Sequence, residues 1–441
     1  MGAVPEPTLR KGCAQAEIEL FEYLVARYPN RDFRVQFWDG SIWGGDQSRF
    51  TLILRHPGAL RRMFLASSEL ALGEAYIYDD FDISGDIEAA FAFGDYLLNQ
   101  ARTISERLKL AALLRKLSVY HPPERQQASL HGLLHSRARD RQAISYHYDL
   151  PTEFFALWLD RSMVYSCAYF DTPEDELDTA QLRKLDYICR KLRLRPGERL
   201  LDVGCGWGGL ILYAAKHYKV DALGITLSAP QAKVVSEQIR QAGLADRCRV
   251  AVCDFRDMEG DGRFDKIASV GMFEHVGEKL LPTYFSRAWR LLKPGGVLLN
   301  HGISYSATYH RRGPSFIDRY VFPDGDLVPL SSSLHAAETS GFEVRDVESL
   351  REHYTLTLRR WLHRLEEHAD AARQITSNKT FRIWRIYLSG SAHGFSSGRL
   401  NVYQTLLCKP SVHGRSGLPL TREDWYRDKL PLSATESRPF S

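Results

Sequence analysis

The clearest chemical motif in the sequence is a glycine-rich loop at residues 202–209, Asp-Val-Gly-Cys-Gly-Trp-Gly-Gly, which directly follows the predicted strand 198–203. Glycines at such a place let the backbone approach a ligand closely and turn tightly into the next helix. Read as GxGxG, the spacing suits S-adenosylmethionine. Read as GxGxxG over Gly204, Gly206 and Gly209, it suits a dinucleotide. The spacing therefore predicts a nucleotide-like cofactor and leaves its identity open.

The positions of the acidic residues help to separate these two cofactors. A dinucleotide site needs an acidic residue at the end of the second strand, where it binds the ribose, but the segment 225–228, Ile-Thr-Leu-Ser, has none. Acids instead close the first strand, at Asp202, and the third, at Asp254, where an adenine-side contact is common in methyltransferases. This arrangement favours S-adenosylmethionine. The alternative is a tight turn that binds no ligand.

Strand and helix patterns alternate around this loop from about residue 141 to residue 410. The predicted strands are 198–203, 220–225, 249–253, 266–270 and 296–301, and the predicted helices are 210–218, 229–243 and 280–292. Such alternation is typical of a parallel sheet with crossover helices. It predicts a doubly wound α/β fold, in which ligands lie at the carboxyl ends of the strands.

The remaining sequence predicts two further regions. Residues 1–140 combine a helical pattern at 18–25, short aromatic strands and linker helices, which indicates a smaller N-terminal α+β and helical domain. Residues 141–410 form the α/β domain. Residues 411–441 form a polar tail that we expect to be poorly ordered from Gly414 onward.

The composition excludes several classes of protein. No apolar run approaches the ~20 residues that cross a bilayer, and the N-terminus lacks the pattern of a secretory signal. The seven cysteines show no metal-ligand spacing, so no metal is expected, and a net charge of +4 is too weak to indicate nucleic acid. Residues 101–150 carry nine Lys/Arg against four Asp/Glu, which suits either anionic lipid headgroups or a solvated helical linker. We expect a cytoplasmic protein that touches membranes only from the side.

Five motifs occur together in a characteristic order. They are Tyr165-Ser-Cys-Ala-Tyr-Phe170, Leu201-Asp-Val-Gly-Cys-Gly-Trp-Gly-Gly209, Gly224-Ile-Thr-Leu-Ser228 with Gln231, Gly271-Met-Phe-Glu-His-Val-Gly277 and Leu291-Leu-Lys-Pro-Gly-Gly296. The set resembles the cyclopropane-fatty-acyl-phospholipid synthase family, including its mycolic acid relatives, over about residues 141–408. Residues 1–140 look like the smaller, lipid-associated N-terminal domain of that family. The resemblance implies a Rossmann-like class I methyltransferase fold for the larger domain.

The resemblance also implies a set of cofactor contacts. Tyr165 and Ser166 would lie over the methionine end, Gly204, Gly206 and Gly208 under the sulfonium and ribose, Thr226 and Gln231 at the ribose hydroxyls, and Phe255 and Arg256, after Asp254, beside the adenine. For aromatic residues such as Tyr165 and Phe255 the alternative is plain core packing.

The chemistry that the resemblance implies is the addition of one carbon to a double bond. Attack of an alkene on the sulfonium methyl creates a carbocation, which aromatic faces stabilise and a dry pocket protects. In the family a bound bicarbonate ion then removes a proton, and the matching positions that hold it are Glu274, His301, Tyr354 and the backbone of Ile303. The alternatives are that Glu274 caps a helix and that His301 is a hydrogen-bonded core residue.

The sequence departs from the family at Ser391, where the family commonly carries a cysteine that has been treated as an active-site residue. Serine is far less acidic than a thiol and cannot replace it as a nucleophile. The mechanism above needs no covalent intermediate, so Ser391 is expected to line the pocket. Cys167 is the remaining family cysteine, and packing near the cofactor is expected of it.

Three functions remain open at this point. The first is cyclopropanation of an unsaturated phospholipid in a membrane, by an enzyme attached peripherally to its inner face. The second is a related methyl transfer that gives a methylene- or methyl-branched acyl chain, or that acts on a small molecule. The third is a lipid- and cofactor-binding protein without activity. The resemblance makes a homodimer plausible, and no nucleic-acid partner is expected.

Overall fold

The computed structural model describes residues 14–65, 68–100, 103–119, 139, 150–308 and 315–426. The chain forms two compact units, neither of them contiguous in sequence. The smaller unit comprises residues 1–129, 312–321 and 377–393, and the larger comprises 130–311, 322–376 and 394–441. The domain boundaries at 140 and 410 stay predictions.

The smaller unit contains a four-stranded sheet. Its elements before residue 120 are α1 Gln15–Val25, β1 Phe33–Gln36, β2 Ile42–Trp43, β3 Phe50–Leu54, α2 Ala59–Leu65, α3 Glu69–Ile77, β4 Phe81–Gly85, α4 Ile87–Asn99 and α5 Ile104–Lys116. The strand order is β2-β1-β3-β4, with β1 and β3 parallel. Aromatic rings fill the core under this sheet, and Phe33 stacks on Phe50 with 5.3 Å between ring centroids. The aromatic strands therefore build a core, as their alternation suggests.

The larger unit contains a seven-stranded sheet. Up to residue 308 its elements are α6 Thr152–Ala156, α7 Leu177–Lys191, β5 Arg199–Val203, α8 Gly209–Tyr213, a π-helical turn Ala214–Tyr218, β6 Asp221–Thr226, α9 Ala229–Gln241, β7 Cys248–Val252, β8 Phe264–Val270, α10 Leu281–Leu291 and β9 Leu292–Tyr305. The remaining elements are α11 Phe316–Tyr320 (in the smaller unit), α12 Leu330–Thr339, β10 Glu343–Ser349, α13 Arg351–Glu367, α14 Ala369–Ile375, α15 Asn378–Ser396 and β11 Leu400–Cys408.

The sheet order of the larger unit is β10-β11-β9-β8-β5-β6-β7. The strands from β9 to β7 are parallel, and β11 and β10 add an antiparallel edge. The chain winds outward in both directions from β5, so the switch of direction falls between β5 and β8. This confirms the doubly wound α/β fold and places a crevice at the carboxyl ends of these two strands.

Two segments differ from the sequence-based expectation. The segment Lys293-Pro-Gly, which lies between the predicted helix 280–292 and the predicted strand 296–301, belongs to the long strand β9. The reason is pairing: the amide of Gly295 donates to the carbonyl of Lys409 (2.7 Å), and the amide of Lys409 donates to the carbonyl of Gly296 (2.9 Å). The tail is also ordered through residue 426. Trp425 is buried, and the nearby Asp424 forms a 2.6 Å ion pair with Arg193.

No helix in the described ranges is both long enough and apolar enough to cross a membrane.

Candidate active site

The glycine loop leaves β5 with three left-handed residues. Gly204, Gly206 and Gly208 have φ of +81°, +54° and +84°, values that side chains other than glycine rarely adopt. The amides of Gly204 and Cys205 both donate to the carbonyl of Ile225 at 3.0 Å, which ties the loop to β6. A Cβ on Gly206 would meet nothing within 4 Å, so this part of the backbone faces open space.

Gly204 and Gly208 are also restricted by packing. A Cβ on Gly204 would lie 2.7 Å from Cβ of Met272, and one on Gly208 would lie 2.8 Å from Val235. Gly208 therefore serves the contact of the loop with α9. Of these three loop glycines, only Gly206 combines a positive φ with an open face.

One cavity at the end of β5 brings together most of the predicted cofactor residues. Its lining includes Tyr165, Ser166, Asp202, Gly204, Gly206 and Gln231. The lining also includes Trp207 and Gly271, from the loops after β5 and β8. The cavity therefore occupies the crevice that the doubly wound sheet predicts, and residues from five separate segments form its walls.

A buried carboxyl and a buried amine line this cavity. Burial raises the pKa of Asp202 to about 7, and the charge of Lys184 partly opposes that rise. One oxygen of Asp202 is buried without a hydrogen-bond partner in the described part of the chain. Lys184 donates to the Ser166 hydroxyl at 2.9 Å, and burial lowers the pKa of its amine to about 8. Together these groups leave an unused acceptor beside a cation, which suits a polar, charged ligand end.

Thr226 and Gln231 meet where β6 enters α9. The Thr226 hydroxyl donates to Oε1 of Gln231 at 2.9 Å and accepts from the Ser228 amide at 3.1 Å. Ser228 caps the helix by accepting from the Gln231 amide at 3.3 Å. The structure therefore brings together the two residues expected at the ribose, in a polar cluster without an acid.

Asp254 and Arg256 form a buried ion pair after β7. The Asp254 carboxylate accepts from the backbone amide of Arg256 at 2.9 Å and from its guanidinium at 2.9 and 2.5 Å. Phe255 packs edge-on against Tyr284, with 5.4 Å between ring centroids. These residues fix the loop after β7, and the Asp254 carboxylate is already engaged by its neighbour.

A second polar group lies just after β8 and on the adjacent part of β9. Glu274 sits in a short 3₁₀ turn after β8, and its Oε1 accepts from the Ile303 amide at 2.8 Å. Its Oε2 is buried and has no hydrogen-bond partner among the residues described. Burial raises the pKa of Glu274 to about 7, while the hydrogen bond from Ile303 opposes the rise. The carboxyl therefore bridges to β9 instead of capping a helix.

His301 lies two residues before Ile303 on β9, so the two face the same side of the strand. It pairs with Val270, the last residue of β8, and its carbonyl accepts from the Gly271 amide at 2.9 Å. Its Nδ1 is bonded to the Gln404 amide at 3.2 Å, while its buried Nε2 finds no partner within the described ranges. Burial, and then the charges of Lys184 and Lys191, hold the pKa of His301 well below its usual value. His301 is therefore a neutral imidazole with one ring nitrogen unused.

Tyr354 joins the site through aromatic packing. It is buried near the start of α13, and its ring lies 4.6 Å from that of Phe395 and 6.0 Å from that of Trp361. Trp361 in turn lies 5.3 Å from the ring of Tyr165, which lines the cavity. A continuous row of rings therefore connects Tyr354 with the predicted cofactor residues.

Cys167 and Ser391, the two candidate positions at which a thiol was considered, lie in different environments. Cys167 is fully buried, its Sγ lies 3.7 Å from the carbonyl of Leu350, and burial raises the pKa of the thiol. It therefore lacks the thiolate character that a nucleophile needs. Ser391 is buried on α15, in the part of that helix that belongs to the smaller unit.

Three residues of the site were missed by sequence reasoning: Lys184, Gln404 and Trp361. Lys184 had a usable signal, because it falls at helical spacing with the apolar residues Leu177, Leu185 and Ile188 and so must point inward. Gln404 had none, because its contact with His301 depends on the antiparallel pairing of β11 with β9. Trp361 resembles any core tryptophan.

A doubly wound sheet with a glycine loop at its switch point and a polar cavity above it defines a class I S-adenosylmethionine-dependent methyltransferase. Residues 135–405 match the family model described as mycolic acid cyclopropane synthetase, and residues 20–94 match a model described as a domain of unknown function. The chain belongs to the mycolic acid cyclopropane synthetase family.

Similar proteins extend this assignment. The chain is 42% identical over 399 residues to a probable fatty acid methyltransferase from Pseudomonas putida, covering 89% of this chain and 96% of the relative. It is 37% identical over 268 residues to the cyclopropane-fatty-acyl-phospholipid synthase of Escherichia coli K12, covering 61% and 68%. A crystal structure of a mycolic acid cyclopropane synthase complexed with SAH and CTAB is 35% identical, covers 60% of this chain and 97% of that one, and superposes with a TM-score of 0.58. The predicted resemblance is confirmed, and the enzyme is a methyltransferase that uses S-adenosylmethionine.

Proposed function

We propose that this enzyme adds a methylene carbon across the cis double bond of unsaturated phospholipid acyl chains, giving a cyclopropane. The observation that carries the proposal is the pair of unused polar atoms on Glu274, just after β8, and on His301 in β9. Oε2 of Glu274 is a buried acceptor and Nε2 of His301 a buried ring nitrogen, and neither has a partner in the described residues. A methyl transfer that ended at the first step would need no such polar group.

The cofactor is assigned to the cavity after β5. Gly206 offers an open backbone, and the unused oxygen of Asp202 beside the Lys184 amine suits the charged methionine end. Thr226 and Gln231 are proposed to bind the ribose, and Tyr165 and Ser166 to lie over the methionine end. S-adenosylmethionine supplies an electrophilic methyl group. We propose that Asp254, Phe255 and Arg256 lie beside the adenine. In this arrangement Asp254 stabilises the loop after β7 through its ion pair with Arg256.

The reaction balances without a redox partner. The π electrons of the double bond form a carbon–carbon bond to the methyl group as the bond from that methyl to sulfur breaks, and its electrons return to sulfur. The positive charge then lies on the second alkene carbon. Loss of one proton from the former methyl group leaves an electron pair that closes the ring onto this carbon. The enzyme must therefore stabilise a cation, exclude water and remove a proton.

Bicarbonate fits the two unused atoms as the group that takes this proton. A neutral His301 that donates from Nε2 offers a hydrogen bond to an anion, and Oε2 of Glu274 accepts one from a hydroxyl. A carboxyl with a pKa near 7 tolerates a neighbouring anion because the two can share a proton. When bound, bicarbonate would supply the base. We propose Glu274, His301, Tyr354 and the backbone at Ile303 as its holders.

Aromatic side chains supply the dry walls. Trp158 lies 5.4 Å from Tyr165 and 5.6 Å from Trp361, and Phe155 lies 4.9 Å from Trp207, measured between ring centroids. Such faces stabilise a cation by up to ~2 kcal/mol where water is excluded. Cys167 is proposed to pack near the cofactor, and neither Cys167 nor Ser391 is proposed to take part in bond formation.

The lipid partner requires contact with a membrane, which we propose to occur peripherally at its cytoplasmic face. The basic stretch 101–150 lies largely outside the described residues. Its described part, helix α5, exposes 80% of Ile104 and 67% of Leu108 beside the exposed Arg107 and Lys109. Cosedimentation with vesicles should rise with anionic lipid content, and binding that ignored this content would oppose the electrostatic form of the proposal. A homodimer is proposed from the family resemblance alone, and the molar mass measured by light scattering would test it.

Expression in a bacterium that makes unsaturated phospholipids but lacks its own cyclopropanating enzyme tests the proposal. Fatty acid methyl esters should contain a new species heavier by one CH₂ and without residual unsaturation. The absence of any mass gain from cells in which the protein is soluble and binds S-adenosylmethionine would contradict the assignment of bulk phospholipid as substrate.

A second candidate is a methylene- or methyl-branched product. Its support comes from the names and coverage of the relatives. The match covers 96% of the length of the relative named a probable fatty acid methyltransferase, but only 68% of the length of the cyclopropane-fatty-acyl-phospholipid synthase. This route shares the methyl transfer. A hydride shift that moves the cation to the methylated carbon, followed by loss of a methyl proton, gives a methylene branch, whereas loss of a proton from a chain carbon gives a methyl-branched alkene. A methylene product keeps a double bond at the same mass gain, so the lipid analysis above separates it from a cyclopropane.

A further inference from the structure

A row of buried hydrogen bonds runs from helix α7 through β11 to His301. Nζ of Lys191 donates to Oε1 of Gln404 at 2.9 Å, and Nε2 of Gln404 lies 3.2 Å from Nδ1 of His301. All three side chains are nearly inaccessible, with exposures of 1%, 1% and 2%. Lys191 also donates to Glu348 on β10. The row ends at Nε2 of His301, the ring nitrogen without a partner in the described chain.

The chemistry of these groups allows only one direction of donation. An ammonium has donors and no acceptor, so the atom of Gln404 that faces Lys191 must be the carbonyl oxygen. The amide nitrogen of Gln404 then faces His301, and it can only donate. Nδ1 of a neutral imidazole must therefore accept, which leaves the proton on Nε2. The donor Lys191 fixes this orientation of the Gln404 amide, because the flipped amide would place its NH₂ group against the ammonium.

We propose that Gln404, oriented by Lys191, is a positioning residue that keeps His301 in the tautomer with its proton on Nε2. The inference rests on the proposed function, in which Nε2 donates to a bound anion. The opposite tautomer would present a lone pair to that anion and repel it. Because Gln404 touches neither the substrate nor the anion in this account, it acts only through His301.

The charges around His301 keep it neutral and so make the tautomer matter. Within the described residues, the charges that act on His301 are those of Lys184 and Lys191 on α7. The charge of Lys184 interacts with that of Asp202 on β5, and the charge of Lys191 interacts with that of Glu348 on β10. The two lysines oppose a positive imidazole, and Lys191 is paired with Glu348. A cationic His301 would donate from both ring nitrogens, so no tautomer would have to be selected. A neutral His301 has two tautomers, and a neighbouring group must select one of them.

The decisive variant is Gln404→Glu, which keeps the shape and turns the donor toward His301 into an acceptor. A carboxylate there should draw a proton to Nδ1, so that neutral His301 carries its lone pair on Nε2. The same carboxylate favours the imidazolium, which still donates from Nε2. Activity of the variant should therefore fall as pH rises and this imidazolium deprotonates, whereas the native enzyme shows no such loss from His301. At the high-pH end we expect a loss of about 10- to 100-fold, the range found for groups that orient a functional histidine.

The tautomer itself is measured without any substrate. Long-range ¹H–¹⁵N correlation on protein labelled with ¹⁵N-histidine separates a protonated Nε2 from a protonated Nδ1, and the His301→Gln variant assigns the signal. We expect Nε2–H in the native protein and Nδ1–H in Gln404→Glu above the new pKa. The matched control is Gln374→Glu, an exposed position in the same unit with the same chemical change, which should alter neither the signal nor the pH profile.

Three outcomes separate the inference from the proposed function. Native protein with Nδ1–H, or an unchanged tautomer in Gln404→Glu, overturns the inference even if the enzyme makes cyclopropane. The expected tautomers with no cyclopropane product overturn the proposed function and leave the role of Gln404 in setting the tautomer standing. If Gln404→Glu does not fold, the native spectrum alone decides, because Nδ1–H there contradicts the geometry.

Discussion

Oε1 of Glu274 lies 2.8 Å from the backbone nitrogen of Ile303, and this single bond connects the turn after β8 to strand β9. One oxygen of the carboxylate is thereby used for structure, and the other is buried without a hydrogen-bond partner among the described residues. The bond holds the carboxyl beside β9, two residues along that strand from His301. The same side chain therefore combines a structural bond with an unused acceptor.

Replacing Glu274 with Gln should abolish most of the activity. The variant keeps an acceptor for the Ile303 amide but places an NH₂ donor where the free oxygen lies. It can therefore no longer accept a hydrogen bond from the hydroxyl of the anion. We expect a fall in turnover of about 10²- to 10⁴-fold, the range for a group that assists proton transfer. Affinity for S-adenosylmethionine, measured by calorimetry, should change less than about twofold. The exposed Glu338→Gln is the matched control. Full turnover in Glu274→Gln would remove this residue from the chemistry.

The pH dependence of stability provides an independent check on the burial of Glu274. Its pKa in the folded protein is raised to about 7, so between the unfolded value near 4.5 and pH 7 the native state binds more protons than the unfolded state. The sign of linkage then makes the free energy of unfolding fall as pH rises through this window. In urea titrations from pH 5 to pH 9, Glu274→Gln should gain stability relative to the native protein, by on the order of 2 kcal/mol at the upper end. A difference that did not change with pH would show that the carboxyl is not desolvated.

Two glycines allow a matched test of the cofactor cavity. Gly206 and Gly243 both have positive φ, +54° and +65°, and a Cβ on either would meet nothing within 4 Å. Alanine at either position should therefore cost a similar backbone strain, about 1–2 kcal/mol. Only Gly206 lines the cavity, so Gly206→Ala should weaken binding of S-adenosylmethionine at least tenfold while Gly243→Ala leaves it unchanged. Equal affinities, measured by calorimetry, would place the cofactor elsewhere.

Ser391 should tolerate both Ala and Cys. The proposed reaction contains no covalent enzyme intermediate, so neither the loss of the hydroxyl nor the gain of a thiol touches a bond-making step. We expect turnover within about threefold of the native enzyme, which corresponds to less than ~1 kcal/mol in the barrier, and an unchanged product by mass spectrometry. A shift from a cyclopropane to a branched product in Ser391→Cys would instead assign this position to the control of proton loss.

Local sequence signals predicted the sheet of the larger unit well. The apolar runs before Gly204 and Gly271 coincide with β5 and β8 because a strand buried on both faces needs continuous apolar residues, and a glycine must follow where the backbone turns sharply. Thr226 and Gln231 also meet as expected, because they are five residues apart on one strand–helix turn.

Interactions between distant segments could not be predicted in this way. The bond from Gln404 to His301 depends on the register of two strands that are 103 residues apart, and no local pattern reports that register. The long β9 was predicted too short for the same reason, since Lys409 supplies the pairing for its first residues. Ser391 lies in a helix whose N-terminal part belongs to the smaller unit. Domains predicted as continuous stretches of sequence cannot describe such an arrangement.

In the proposed reaction, a carbon from S-adenosylmethionine enters the double bond of a phospholipid acyl chain. The most direct test is to incubate purified protein with ¹³C-methyl-labelled S-adenosylmethionine, bicarbonate and vesicles of an unsaturated phospholipid, and to record NMR spectra of the extracted lipid. We expect label in a cyclopropane CH₂ together with an equal loss of olefinic signal, and very little of either with Glu274→Gln. Label in a CH₃ branch or an exocyclic CH₂ would contradict the cyclopropane, and unlabelled lipid from protein that binds the cofactor would contradict the phospholipid substrate.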